Sequence, residues 1–532
     1  MPNDAEVIII GAGHNGLTCA AYLASAGKSV IVLEARDVVG GAAVTEEFAP
    51  GFRNSTASYT VSLLNPKVIA DLDLHAYGLR IVRREISNFW PLGQRPGDYL
   101  KLTFDADRNR DEFARLSADD ADALPRYASD IGDVADVIRD LAMETPPNLG
   151  GGLRDAWRAL KTGNRLRRLP EARQRLVFDF FTVSAEAFLR RYFRHPAIIG
   201  AFAFDGIVGS YAAPSTPGTA YVLLHHAFGE VNGEKGQWGH AIGGMGAITT
   251  AMRRSAEARG AKVFTGAAVA EVLIEGGRAI GVRMVDGRTM RANAVVCNAN
   301  PKRLALDLLP AAGLPPKGKV FRDRMTHYAC GSASFRMNLA LSGLPQFTAL
   351  PTDGAAEHHR AGIIIGPSVG YLERAYLDAR MHGWSREPVI EMLIPSTLDD
   401  TLAPGGQHVA SLFCQHFDPD LAIGRSWDEA REDAVETIIS TVESYAPGLR
   451  ELIVGMQIHS PLDLERKFGL VGGDIFHGRL SLDQMFSARP TLGAAGYRLP
   501  VDGLWLCGSG AHPGGGVTGA PGHNCAREML RG

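Results

Sequence analysis

At 532 residues, 45% of them apolar and 21% charged, the sequence has the composition of an ordinary globular protein with enough chain for two or more domains. Its 55 basic and 58 acidic side chains give a net charge of −3, which speaks against nucleic acid as a partner. No apolar run approaches the roughly 18 residues that a membrane-spanning helix needs.

The residues just after the N-terminus carry the strongest local signal. The uninterrupted apolar run at 7–10 predicts a strand buried on both faces of a parallel sheet. Gly11 permits a sharp exit from that strand, Gly13 lets backbone approach a pyrophosphate, and Gly16 lets the next helix pack closely, its N-terminus towards the phosphates. Small residues at Ala20, Ala21 and Ala24 keep that helix near the sheet. A second strand at 29–33 ends in Glu34, whose carboxylate is placed for ribose hydroxyls. Strand, glycine turn, helix, strand and acid together describe a site for the ADP half of a dinucleotide. Only four residues precede this unit, so no targeting segment is expected and a cytoplasmic protein is predicted. Ten lysines against 45 arginines suggest a GC-rich bacterial source.

A second glycine turn, Gly40-Gly41-Ala42, follows, and then a region at 74–233 that fits no nucleotide fold. Within it, Ser117 and Asp120 form a capping box that opens a helix over 121–136. The segment 154–175 holds eight Lys/Arg against two acids, interspersed with Trp157, Leu160, Leu166 and Leu169. It reads as a solvated helical hairpin, with peripheral contact to an anionic membrane as the alternative. The aromatic segment 178–204 reads either as a hydrophobic tunnel wall or as ordinary core. Around 243–246 another glycine turn leads into a helix at 247–259 and strands at 262–264, 269–274, 279–284 and 294–297, the last three a β-meander. A second, irregular α+β region is expected over 303–490. The chain closes with a short strand at 503–507 and a loop so rich in glycine that close approach to a flat polar ligand is its readiest explanation.

The six cysteines form no CxxC or similar close pair, so a redox dithiol is not expected. The pairs His225-His226 and His358-His359 lack further ligands at metal-site spacing, and no metal is predicted.

The first glycine unit, Gly40-Gly41, the turn at 243–246 and the closing loop at 508–522 resemble the phytoene-desaturase-like FAD-dependent oxidoreductases. GGAAVTEE at 40–47, IFHGRLSLDQMF at 475–486 and LCGSGAHPGGGVTGAPG at 506–522 look closer still to the subgroup named for a pyridine nucleotide-disulfide oxidoreductase domain. The resemblance spans essentially the whole chain. It implies an α/β fold: a discontinuous Rossmann-type FAD-binding domain with a β-meander (1–73, 234–302 and 491–532) and an inserted α+β substrate domain (74–233 and 303–490).

The resemblance also implies where FAD would lie. The pyrophosphate would lie at Gly11, Gly13 and Gly16, the adenosine ribose at Glu34, and the adenine near Val269. The isoalloxazine would lie by Gly40, Gly41 and Ala42 and by Val517 and Thr518, where backbone N–H groups at a helix start would meet negative charge on the pyrimidine. Many relatives carry arginine where this chain has Ala42, and an acid after the glycine of the last strand where Gly508 is followed by Ser509. With no dithiol and no second strand–GxGxxG–helix unit, disulfide reduction and nicotinamide dependence are not expected despite the subgroup's name.

The expected activity is passage of a hydride equivalent from a lipophilic small molecule to flavin N5, followed by reoxidation by an unspecified electron acceptor. Alternatives are a flavin-dependent polyene isomerase, an amine oxidase, and a non-enzymatic flavoprotein regulator on a membrane or respiratory complex. No catalytic acid–base pair is nominated. His512 reads as a loop-stabilising hydrogen-bonder with a proton-shuttle alternative, His477 as core or cavity lining, and Asp483 as a holder of nearby backbone or a chemical group. Substrate, acceptor and oligomeric state are not legible.

Overall fold

The apolar run near the N-terminus forms β1 (Ala5–Ile10), with Ile8 and Ile9 fully buried, in a computed structural model that describes residues 4–148, 150–422 and 424–531. β1 pairs in parallel with β2 (Val30–Leu33) on one side and with the strand Thr289–Cys297 on the other. Lys262–Phe264 extends the sheet beyond β2, and Leu504–Leu506 extends it beyond Cys297, both in parallel. Strand Thr289–Cys297 serves two partners along its length. Residues 289–291 pair antiparallel with Arg278–Met284, which pairs in turn with Val269–Glu275, so the meander is continuous with the parallel sheet. The helix α1 (His14–Ser25) packs on this sheet between the helices Met245–Ala258 and Ala520–Leu530.

A second seven-stranded sheet is built from distant parts of the chain. Its order is Ile453–His459, Ser334–Leu341, His408–Phe417, Trp384–Leu393, Gly362–Ile365, Ile86–Pro91 and Tyr99–Thr103. The region expected to be irregular at 303–490 thus supplies five regular strands. Its sequence hides the inner ones because both of their faces are buried, unlike the edge strand Ile453–His459. In Ser334–Leu341, Phe335, Met337, Leu339 and Leu341 join the core under helix Trp427–Tyr445, while Ser334, Arg336 and Asn338 put polar groups on the opposite, equally buried face. Polar residues at alternate positions ordinarily mark a solvated face. Here they mark an internal one.

The helices between residues 118 and 226 enclose a third core around Phe180, Phe188, Phe193 and Phe204. Most of the 178–204 aromatic segment is therefore core, while Phe178 is exposed. No helix among the described residues is long and apolar enough to cross a membrane.

Candidate functional site

The turn between β1 and α1 is shaped by close contacts. Gly11 leaves the strand at φ +94°, and a Cβ on Gly16 would overlap the Gly11 carbonyl oxygen. The helix can sit this near the strand only because residue 16 has no side chain. Glu34 is buried at the end of β2 and accepts hydrogen bonds from the N–H groups of Ala12 (2.8 Å) and Arg36 (3.0 Å), which fixes its carboxylate beside the turn. The second glycine turn is tied to the first: Gly40 N–H donates to the Ala12 carbonyl at 2.9 Å.

These turns enclose a cavity of about 290 Å³. Of the residues singled out in the sequence, Gly11, Gly13, Glu34, Gly40, Gly41, Ala42, Val269 and Ser509 line it. Gly16 lies behind the turn, and Gly508 packs on the Asn298 backbone. Thr518 lines a neighbouring cavity instead, and Val517 packs partly buried against the main core. The expected donor array at 517–520 is only partly open. Helix Ala520–Leu530 begins three residues later than position 517, Thr518 N–H donates to the Gly516 carbonyl, and Ala520 N–H donates to Thr518 Oγ1.

Three buried polar atoms at this cavity have no partner among the described residues: His14 Nε2, Asn15 Oδ1 and His477 Nδ1. Buried polar groups are nearly always paired, so three orphans on one cavity indicate a polar ligand. Burial holds the His14 and His477 rings at about 4, uncharged at neutral pH. Asn15 also donates to Ser509 Oγ at 3.1 Å, joining α1 to the closing loop.

Several lining residues carried no local signal. Asn298 directly follows strand Thr289–Cys297, and Arg303, Arg466, Lys467 and Phe468 arrive from the insert. Ala42 offers no cation, but Arg36, Arg303, Arg466 and Lys467 line the cavity; Arg36 and Lys467 share Glu46, and Arg466 pairs with Asp428.

The closing loop is organised by Arg489. Its side chain is completely buried and donates to the carbonyls of Phe476 (2.7 Å), Ser509 (2.8 Å), Gln484 (3.1 Å) and Gly478 (3.3 Å). Asp474 holds the adjoining segment through Gly331, Phe476 and Gly478 N–H groups and Ser332 Oγ. The backbone-holding aspartate is thus Asp474, and Asp483 is exposed. His512 Nε2 lies 3.0 Å from the Leu141 carbonyl, a loop-stabilising bond. Behind α1, Cys19 shares hydrogen bonds with Cys507 and Cys525, so three thiols far apart in sequence meet in the core. Burial pushes Cys507 and Cys525 well up, keeping them protonated.

Beside the loop lies a small, mostly apolar cavity of about 50 Å³ lined by Arg139, Tyr221, His225, Phe228, Phe486, Gly515 and Thr518. It shares Ile138, Phe486 and His512 with a cavity of about 240 Å³ that reaches Thr162, Leu166 and Val177 on the hairpin of helices Leu153–Arg167 and Glu171–Thr182. Burial holds His225 near 3 and His512 near 4, both neutral. On the hairpin, Arg158, Lys161, Arg165, Arg173 and Arg175 are ion-paired, and Leu153, Trp157 and Leu160 point outward.

On the internal face of the second sheet, strand register places His459, Arg336, Phe413, Glu391 and Ile364 in one row. The Tyr59 ring lies 5.3 Å from that of Phe413, and its hydroxyl donates to Glu391. Tyr59 is held near the second glycine turn, because Ser58 N–H donates to the Ala42 carbonyl at 2.9 Å.

A profile of flavin containing amine oxidoreductases matches residues 16–328, more than half of the chain. The chain belongs to that family. It is an FAD-dependent oxidoreductase with an α/β FAD-binding fold of Rossmann type. The oxidoreductase is 40% identical over 547 residues to pyridine nucleotide-disulfide oxidoreductase domain-containing protein 2 of Rattus norvegicus, covering 99% of this chain and 93% of the relative. It is 24% identical over 540 residues to the phytoene desaturase (lycopene-forming) of a Paracoccus species, covering 98% and 96%. The resemblance drawn from the motifs therefore holds. Among solved structures, an oxidoreductase from Methanosarcina mazei shares the fold, with a TM-score of 0.62 at 17% identity over 99% of this chain and 100% of the other. The 40% identical relative is mammalian, so the arginine-rich composition gains no support as a mark of bacterial origin.

Proposed function

We propose that this oxidoreductase is a dehydrogenase or desaturase of a lipophilic small molecule. Residues 1–73, 234–302 and 491–532 form its FAD-binding unit, and 74–233 and 303–490 its substrate unit. Gly11, Gly13 and Gly16 hold the pyrophosphate, Glu34 the ribose and Val269 the adenine end. Gly508 and Ser509 hold the ribityl chain, and Gly40, Gly41, Ala42, Val517 and Thr518 border the ring system. When bound, FAD supplies the two-electron acceptor.

The observation that carries this reading is the pair of adjoining apolar cavities between the helical hairpin and Gly515, next to the cavity with the orphaned polar atoms. An apolar substrate gains from leaving water there, and the walls exclude water from the reacting carbon. The neutral His225 and His512 suit removal of hydrogen from carbon without a strong protein base. The outward Leu153, Trp157 and Leu160, with Arg154, Arg167 and Arg168 exposed and free of ion pairs among the described residues, support contact with an anionic bilayer from which such a substrate would be drawn.

The test is an anaerobic screen of lipophilic alkenes and hydroxy compounds against amines, read as bleaching of the flavin. Bleaching by a lipophilic compound other than an amine, with a desaturated product, is expected. Bleaching by amines alone, or a shifted double bond with no acceptor consumed, would overturn the assignment in favour of an amine oxidase or an isomerase.

A further inference from the structure

The internal row of the second sheet holds more cation than anion. Arg336 is 1% exposed. Its Nη2 donates to Ser411 Oγ at 2.6 Å, and its guanidinium lies 4.4 Å from the Tyr59 ring centroid. Nε and Nη1 have no partner. Arg84, 4% exposed, donates to Thr60 Oγ1. Neither arginine has a carboxylate within ion-pair distance among the described residues. Gln415, on the same face two residues from Phe413, accepts from Gly209 N–H through Oε1, so its orphaned Nε2 is a donor.

These three atoms are donors on side chains at least nine-tenths buried, and His459 Nε2 in the same row is also without a partner among the described residues. The charges around them do not cancel. Glu391 is spent on the Tyr59 hydroxyl, and burial raises its carboxyl. Asp205, raised to about 8 by burial and by Glu391, is protonated at neutral pH. His459, lowered to about 4 by burial, is uncharged. Two guanidinium groups therefore face at most one carboxylate. Leaving a buried charge without a partner costs several kcal/mol, and cation–π contact with Tyr59 recovers only part of that.

Packed residues link the row to the apolar cavity. Gly209, bonded to Gln415, packs against Ile475 and Phe476, and Phe476 packs on Gly515 and on His225. Tyr59 joins the same row to the turn at Ala42 through Ser58.

We propose that the substrate carries a carboxylate, which seats on Arg336 with Arg84 and Gln415 beside it, while its apolar body extends towards Gly515. This rests on the flavin-dependent oxidation proposed above and names the class of molecule oxidised: an amphipathic carboxylic acid. A carboxylate supplies acceptors for every orphaned donor and restores charge balance. A neutral hydrocarbon would leave the donors bare.

The test uses the FAD-loaded protein, titrated with sodium decanoate and sodium benzoate against 1-decanol and benzyl alcohol. Binding is read both by perturbation of the flavin spectrum and by calorimetry. At least one acid should bind tenfold or more tighter than its alcohol. Arg336→Gln should erase that preference, and Arg336→Lys should retain part of it. Alcohols binding within twofold of both acids, or an acid preference that survives Arg336→Gln, would overturn the inference. If Arg336→Gln does not fold, the acid-to-alcohol ratio on the wild-type protein decides alone. A protein that takes up no flavin would instead overturn the oxidation reading, and calorimetry would still report on the anion site.

Discussion

Gly16→Ala adds one carbon and should cost the protein its FAD. The new Cβ would overlap the Gly11 carbonyl oxygen and come within 3.2 Å of Asn298 Nδ2 and 3.3 Å of Asn298 Cβ. Carbon–heavy-atom contacts settle near 3.5–4.0 Å, so the first turn of α1 must retreat by about 1 Å. It has no room behind it, because Gly522 of the C-terminal helix already packs on the Asn15 carbonyl without space for a Cβ. Overpacking of this kind costs about 1–3 kcal/mol, and the better helix propensity of alanine returns up to about 1 kcal/mol. The net cost to overall stability should therefore be about 0–3 kcal/mol. A 1 Å shift of the turn, by contrast, should remove at least one backbone contact to the pyrophosphate, about 1.4 kcal/mol or tenfold in affinity. The assay is titration of the apoprotein with FAD, read by quenching of flavin fluorescence. Gly132→Ala is the control: it adds the same atom in helix Ala118–Ala142 where nothing lies within 4 Å, and should leave affinity unchanged while stabilising by about 0.5–1 kcal/mol. An affinity for FAD within twofold of wild type in Gly16→Ala would refute the reasoning.

Three further outcomes are expected. Arg489→Leu strands at least four buried carbonyls, at about 1–3 kcal/mol per unsatisfied group, so its urea midpoint should collapse and the 508–519 loop become open to proteolysis; a midpoint near wild type would refute the bracing role. Burial alone would raise the Asp399 carboxyl, but hydrogen bonds from His240, Thr401 and Gly243 N–H outweigh it and lower it to about 2. Because the folded value lies below the unfolded one, this stabilisation is full above pH 4 and is lost as pH falls towards 2. Asp399→Asn should therefore remove about 2 kcal/mol at pH 7 and flatten the acid limb of a stability–pH profile, and an unchanged limb would refute it. Leu153→Ser with Trp157→Ser should leave stability within about 0.5 kcal/mol while weakening cosedimentation with phosphatidylserine vesicles; equal sedimentation would exclude the hairpin as a lipid contact.

The nucleotide end of the site was legible because its chemistry is local. Gly11, Gly13, Gly16 and Glu34 fall within 24 residues, and each acts through backbone geometry that the turn itself dictates. The meander was legible because glycine and aspartate turns punctuate it. The second sheet was not, because its inner strands are buried on both faces and Arg336 and Glu391 read as ordinary surface charges until strand register sets them in one row. Arg489 was equally silent: nothing near it in sequence says that its partners are carbonyls from 476 to 509. The cations that line the cavity come from positions 36, 303, 466 and 467, a convergence made by the fold alone.

The central claim is that two glycine turns near the N-terminus and a loop some 490 residues later build one FAD site. Its most direct test is flavin content of the full-length protein after reconstitution, read as absorbance near ~450 nm against protein concentration. About one FAD per chain, falling at least tenfold in affinity with Gly16→Ala, is the predicted result. A folded protein that retains no flavin absorbance after incubation with excess FAD would contradict the account.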